Sequence, residues 1–208
     1  MTLEELRLQV QHLVNFTPGT VGQDFPGVAA DANRHVDWGI NEAYRLEVEL
    51  GKQNGMRRAF MRRHTVNWPA DVTLLAIPEQ LIDVDLLALR DDTNNTPGTL
   101  VTFPDGFYIA DRLTWGWTSP PPAMTLTALY LSSAQEMKDR ADVPSLIPQQ
   151  HHSLLVWSAG VLMRSKADER PPEAWLRQRD EHRRVWYKSL SVGSPMLSSQ
   201  FEEMQPMW

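Results

Sequence analysis

The 208-residue chain contains no cysteine. Disulfide staples, thiolate nucleophiles and cysteine-ligated metals are therefore excluded, and a reducing compartment suits the composition. A long apolar run is also missing. The richest stretch, Leu154 to Met163, holds ten residues between His151 and Arg164, whereas a membrane-spanning helix needs about twenty. The first residues, Met1 to Arg7, have no basic region ahead of an apolar run, so no signal peptide is expected. An excess of positive charge is absent too. The formal charge is −6, which gives no bulk attraction to nucleic acid or to an acidic membrane. No Gly-rich phosphate loop, Gly-x-Ser-x-Gly elbow or His-Glu-x-x-His pair occurs. The expectation is a protein that is not an enzyme and holds no cofactor or metal.

What the chain does have is proline and tryptophan, 15 and 8 of them. The stretch that organises the rest runs from Asp142 to Tyr187. Pro144 and Pro148 stiffen a lead-in. Leu154 to Met163 then carries apolar residues on nearly every side of a helix, the mark of a core helix. Within it Ser158, Ala159 and Gly160 are small enough for a neighbouring backbone to come close. Pro171 and Pro172 suit the first turn of a following helix. That helix is amphipathic and charged, with Trp175, His182, Val185, Trp186 and Tyr187 set among Arg177, Arg179, Arg183, Arg184 and Lys188. The two helices should form a hairpin with a short loop.

Upstream, Thr2 and Glu5 have capping-box spacing. Leu3, Leu6, Val10, Leu13 and Val14 repeat at helical period up to about Asn15. A second helix is expected from Ala30 to Leu50, with Gly51 as its stop. After Gly55 the pattern changes. Strands are expected over Arg57–Trp68, Val72–Ile77, Leu86–Arg90, Thr99–Phe103, Phe107–Ala110 and Met124–Leu131. Pro104-Asp-Gly106 signals a hairpin between two of them. The fold class is α+β: a helical bundle formed by both chain ends, with a β-rich insert between the helix pairs. The expected divisions are 1–55, 56–132 and 133–191, followed by an extended C-terminal tail over 192–208. Trp157 and Leu162 are expected in the core, against the helix carrying Ile40 and Ala43.

Several residue groups invite a chemical reading. His151 and His152 are adjacent, but Leu155 and Val156 occupy the i+4 positions where a further ligand would stand. A helix-start pair at the edge of the core is the favoured reading. Asp83 and Asp85 have the alternate spacing of an acid–base pair. With Asp91, Asp92, Asp105 and Asp111 nearby, the block reads as a solvated or partner-facing acidic surface. Arg57, Arg58, Arg62 and Arg63 form one basic cluster, and Arg177, Arg179, Arg183 and Arg184 another. Each group is a candidate for inter-subunit ion pairs, with Asp83, Asp85, Asp91 and Asp92 as acidic counterparts, or for phosphate contacts in a channel. From Arg164 to Lys188 eight basic residues face five acidic ones, which favours pairing over DNA contact. Trp115 and Trp117 share one strand face and sit beside Gly116 and three prolines, marking a loop that is either folded back and used locally or offered to a partner.

The layout resembles that of the head–tail adaptor (connector, or neck) proteins of tailed bacteriophages. The similar features are Val36-Asp-Trp-Gly-Ile-Asn-Glu-Ala-Tyr44 at the second helix, and a strand block with Pro78 and Asp105-Gly106. The strongest is Leu126-Thr-Ala-Leu-Tyr130, leading through an acidic, proline-rich link into Leu146-Ile-Pro-Gln-Gln-His-His152 and an apolar helix. The likeness spans about residues 1–190. It implies a structural virion protein made in the host cytoplasm and placed in the virion neck. There a ring of identical subunits, usually a dodecamer, docks beneath the portal protein and extends the DNA channel. It also offers a surface to the tail or tail-completion proteins. Non-specific contact with packaged DNA and no contact with membrane are implied. On this resemblance the loop of Trp115 and Trp117 faces the tail. The segment Val192 to Trp208 has apolar residues at Met196, Leu197, Phe201, Met204, Met207 and Trp208. These are candidates for docking on the portal, or for folding back on their own domain. The alternatives are a DNA-binding packaging protein of the small-terminase kind, or a hydrolase using the acidic insert.

Overall fold

The computed structural model describes residues 1–15, 29–78, 81, 84–92, 103–167 and 169–192. The fold is mixed, with four α-helices and six strands in antiparallel sheets among the described residues. The helices are α1 (Leu3–Asn15), α2 (Ala29–Gly51), α3 (Ser153–Lys166) and α4 (Glu173–Val192). The strands are β1 (Met61–Trp68), β2 (Leu74–Ala76), β3 (Asp85–Asp91), β4 (Phe107–Asp111), β5 (Thr114–Trp117) and β6 (Met124–Leu131). Among the described residues the chain divides into two compact units, 1–56 with 134–192, and 57–133.

The first unit is helical, and α1, α2 and α4 each pack against α3. Helix α1 starts with a capping box. Glu5 Oε2 accepts the Thr2 amide at 2.8 Å, and Thr2 Oγ1 accepts the Glu5 amide at 3.3 Å. Its Leu3, Leu6 and Val10 are buried at helical period, as are Val36, Ile40, Ala43, Tyr44 and Val48 on α2. Where helices cross, small residues set the approach. A Cβ on Gly160 would stand 2.8 Å from Leu13 of α1 and 3.4 Å from Trp175 of α4. One on Gly39 would stand 2.9 Å from Met163.

This close approach explains a correction. Trp157 and Leu162 are only half-buried, and neither belongs to the core. The fully buried face of α3 carries Leu154, Leu155, Ser158 and Ala159, where small residues let the neighbouring helices in. The large buried aromatics of this unit are Tyr44, Trp175 and Trp186. The end of α2 is as expected, at Gly51; beyond it the chain makes a wider turn, Lys52–Met56, in which Gly55 takes φ 84°.

The link ahead of α3 is pinned side chain by side chain. The Asn41 amide clasps the Met137 backbone, donating to its carbonyl at 3.0 Å and accepting its N–H at 2.8 Å. The Tyr44 hydroxyl accepts the Leu146 N–H at 2.9 Å. Asp142 accepts the amides of Lys138 and Asp139, which hold its carboxyl below the usual range. Its own carbonyl takes the Leu3 N–H at 2.8 Å, one of the orphan donors at the start of α1.

The second unit holds two three-stranded antiparallel sheets, β1-β6-β3 and β2-β5-β4. Val66, Trp68, Leu89, Leu126 and Ala128 of the first sheet meet Trp115 and Trp117 of the second in one apolar cluster. Trp115 and Trp117 thus lie in a strand and are buried, at 3% and 9% exposure. The expectation that they form an outward loop is corrected. Gly116 between them is covered by the Tyr108 ring from β4, a cross-strand aromatic lying over a strand glycine. A further hairpin, not expected from the sequence, follows the Pro104–Gly106 turn. Strand β4 pairs with β5 through a turn at Arg112 and Leu113, where Asp111 Oδ1 accepts the Leu113 N–H at 2.7 Å. Gly106 does turn the chain, at φ 85°, but the strand expected before it lies mostly outside the described residues.

Candidate interaction surfaces

The charged side chains sort into those used within the chain and those left at the surface. Glu47 of α2 is 2% exposed. Arg183 of α4 meets it with two nitrogens, at 2.8 and 2.6 Å, and the Ser158 hydroxyl donates to it at 2.6 Å. The hydrogen bond to Glu47 raises the Arg183 pKa above its ordinary value. A buried carboxylate with a bidentate partner is a structural element of the helical unit. The expectation that Arg183 pairs with a neighbouring subunit is therefore corrected. Arg179 is matched by Asp180 at 2.8 Å, while Arg177 and Arg184 are exposed. In the same unit Arg7 grips Asp37 through two 2.8 Å bonds, joining α1 to α2.

On the strand unit Asp92 is occupied as well. Burial pushes its carboxyl up, but hydrogen bonds from Arg90 at 2.6 Å and Thr127 at 2.5 Å together hold it below the usual range. It is corrected as a free acidic counterpart for another subunit. Asp85 and Asp91 are exposed, and Asp83 lies outside the described residues. Arg57, Arg58, Arg62 and Arg63 are all exposed, on a short helical turn (Arg57–Phe60) and the first residues of β1.

The histidine pair sits at the start of α3, and both rings are buried. His152 Nε2 donates to the Ile147 carbonyl at 2.7 Å, and its Nδ1 lies 2.7 Å from the Met1 nitrogen. His151 Nε2 donates to Ser189 Oγ at 3.0 Å, and that hydroxyl donates in turn to the Trp186 carbonyl at 2.6 Å. Burial lowers both imidazole pKa values; His182 lowers that of His151 further. Among the described residues no group of three His, Asp or Glu is arranged to hold a metal. None of the described helices is long and apolar enough to cross a membrane.

A surface that sequence reasoning missed is the sheet β2-β5-β4. Leu74, Gly116 and Tyr108 are cross-strand neighbours on one face. Leu74 is 53% exposed, Ile109 54% and Leu113 55%. Of nine large apolar side chains exposed among the described residues, five (these three with Phe103 and Tyr108) belong to this sheet or its flanking turns. On the sequence β4 was expected to pair with Thr99–Phe103, which lies mostly outside the described residues, and its exposure was not foreseen. The tail residues Met196, Leu197, Phe201, Met204, Met207 and Trp208 lie outside the described residues. Compared with known proteins, the chain matches no family model, and no characterised sequence matches it.

Proposed function

We propose that the protein is a structural assembly subunit, a head-to-tail adaptor of a tailed bacteriophage, which docks beneath the portal as a closed ring. In this reading both chain ends form one helical bundle with the β-rich stretch as an insert; the packing of α1, α2 and α4 on α3 supports it. The ring, a dodecamer by resemblance, extends the DNA channel and presents its far side to the tail in the virion neck. The chain is not an enzyme and needs no cofactor. Met196, Leu197, Phe201, Met204, Met207 and Trp208 seat the C-terminal tail on the portal.

The observation that carries this reading is the exposed apolar sheet. Leu74 and Tyr108 stand on one face of it and Ile109 on the other, with Leu113 in the turn; exposed apolar side chains gathered on one small element, rather than scattered singly, mark an interaction site. Its side chains are aliphatic and aromatic anchors of the kind found in interface cores. Changing Ile109→Glu with Leu113→Glu tests it. Both side chains are more than half exposed, so the melting temperature should not move. Incorporation onto the cognate portal should fall sharply. Normal incorporation of that variant would remove the sheet from the assembly surface.

A further inference from the structure

Beside α2 the helical unit holds an open groove of about 920 Å³. One wall is α2 from Asn33 to Arg45, and the other is the link over residues 134–138. Twelve helical steps give the groove a length of about 18 Å. The second wall is fixed in advance. Asn41 clasps the Met137 backbone, and the link makes neither turn nor bend from 134 to 138. Among the described residues, the backbone N–H and C=O groups of Ala134, Gln135 and Glu136 meet no partner. Trp38 is 37% exposed, and its ring is braced. The Lys166 ammonium lies 3.6 Å from its centroid, and the His35 ring stacks on it at 5.7 Å. Of the six charged side chains lining the groove, five are matched. Arg7 grips Asp37, Arg45 holds Glu42 at 2.5 Å, and Lys138 stands 3.9 Å from Glu136. Arg34 is the sixth; it is exposed, and no described carboxylate lies within ion-pair distance of it.

We propose that this groove binds an extended peptide segment of a partner protein, which brings a carboxylate to Arg34 and an apolar side chain to Trp38. A groove about 18 Å long takes about five extended residues at about 3.3 Å each. Unpaired backbone groups along one wall can hydrogen-bond such a strand, as sheet edges do in strand addition. The one unmatched charge in the lining is positive, so the complementary charge is a single anion. The arginine fork fits a carboxylate in a bidentate way. A nucleic-acid strand fits poorly, because the carboxylates of Asp37, Glu42 and Glu136 would face its phosphates. A braced tryptophan is a pre-ordered anchor that loses little freedom on binding. Arg34 and Trp38 are one helical turn apart, with Cβ atoms about 6 Å from each other. Alternate residues of an extended strand share a face at a spacing of about 7 Å. The acidic and apolar residues of the peptide should therefore stand two positions apart. The groove belongs to the helical unit alone, and its occupancy does not depend on the adaptor reading or on the exposed sheet.

The experiment is selection of displayed random heptapeptides on the full-length protein. The most enriched sequence is then measured as a labelled synthetic peptide by fluorescence anisotropy. Enriched sequences should share an aspartate or glutamate two positions from a large apolar residue. Arg34→Glu should weaken that peptide by about tenfold or more. Its own selection should enrich lysine or arginine at the acidic position. Trp38→Ala should weaken binding by a similar factor and keep the acidic preference. N-methylating the peptide amides should abolish binding, because backbone pairing is lost. Arg184→Gln, on α4, should change nothing, and melting curves check the fold of each variant. Four results would overturn the proposal. The first is no enrichment over an Arg34→Glu, Trp38→Ala double variant. The second is the same acidic motif selected by Arg34→Glu, and the third is full affinity for the N-methylated peptide. The fourth is self-association in sedimentation that Arg34→Glu abolishes and the peptide leaves intact, which would assign the groove to a second copy.

Discussion

Arg183 holds Glu47 with two nitrogens, and Glu47 has almost no other contact with water. Reversing the charge, Arg183→Glu, would place a second carboxylate beside a buried one. The expected cost is about 3–5 kcal/mol, the penalty for breaking a buried pair. Urea unfolding should show it as a lowered midpoint; a wild-type midpoint would show that the pair is dispensable. Arg184, exposed one residue later, should tolerate the same change. This distinction was not legible in the sequence. Glu47 and Arg183 are 136 residues apart, and nothing local tells a buried arginine from its exposed neighbour. The histidines were more legible. Their place between a proline-rich lead-in and an apolar helix indicated a core edge, and both rings are buried there. Because burial lowers their pKa values, the unfolded chain binds more protons than the folded one in mildly acid solution. Their stabilising contribution is complete above the ordinary histidine value of 6.5 and is lost as pH falls below it. The unfolding midpoint should therefore drop between about pH 7.5 and 5.5. In a His151→Asn, His152→Asn variant that folds, the drop should shrink; an unchanged drop would assign it to other groups.

At the scale of elements, the helices were the legible part. The capping box at Thr2 and Glu5 and the leucine–valine repeat placed α1 to its last residue, because both signals are local and strong. Helix α2 was legible to within a residue at each end; the wider turn that follows it, where Gly55 takes the left-handed backbone, was not. Strand β5 was hidden. Thr114-Trp-Gly-Trp117 sits beside prolines and contains a glycine, so it resembled a loop; only the Tyr108 ring across the sheet makes Gly116 acceptable there. Its hairpin turn at Arg112 and Leu113 has neither glycine nor proline, and relies on the Asp111 carboxylate. The half-burial of Trp157 was illegible for a related reason. An all-round apolar helix does not say which side its neighbours approach, and here they approach the small residues.

At the scale of the molecule, some of the charge that looked available for partners in the sequence, Arg183 and Asp92 above all, is used inside the chain. Arg7 with Asp37, Arg183 with Glu47 and Arg90 with Asp92 are internal fasteners. The strand unit also leaves apolar side chains outward on the sheet β2-β5-β4 and its turns. Ring closure can require the portal as a template, so the free chain need not be oligomeric. The most direct measurement is electron microscopy of the protein mixed with its cognate portal in negative stain. The account predicts an added ring of density beneath the portal, coaxial with its channel. Portal particles that look the same with and without the protein, at concentrations where both are folded, would contradict it.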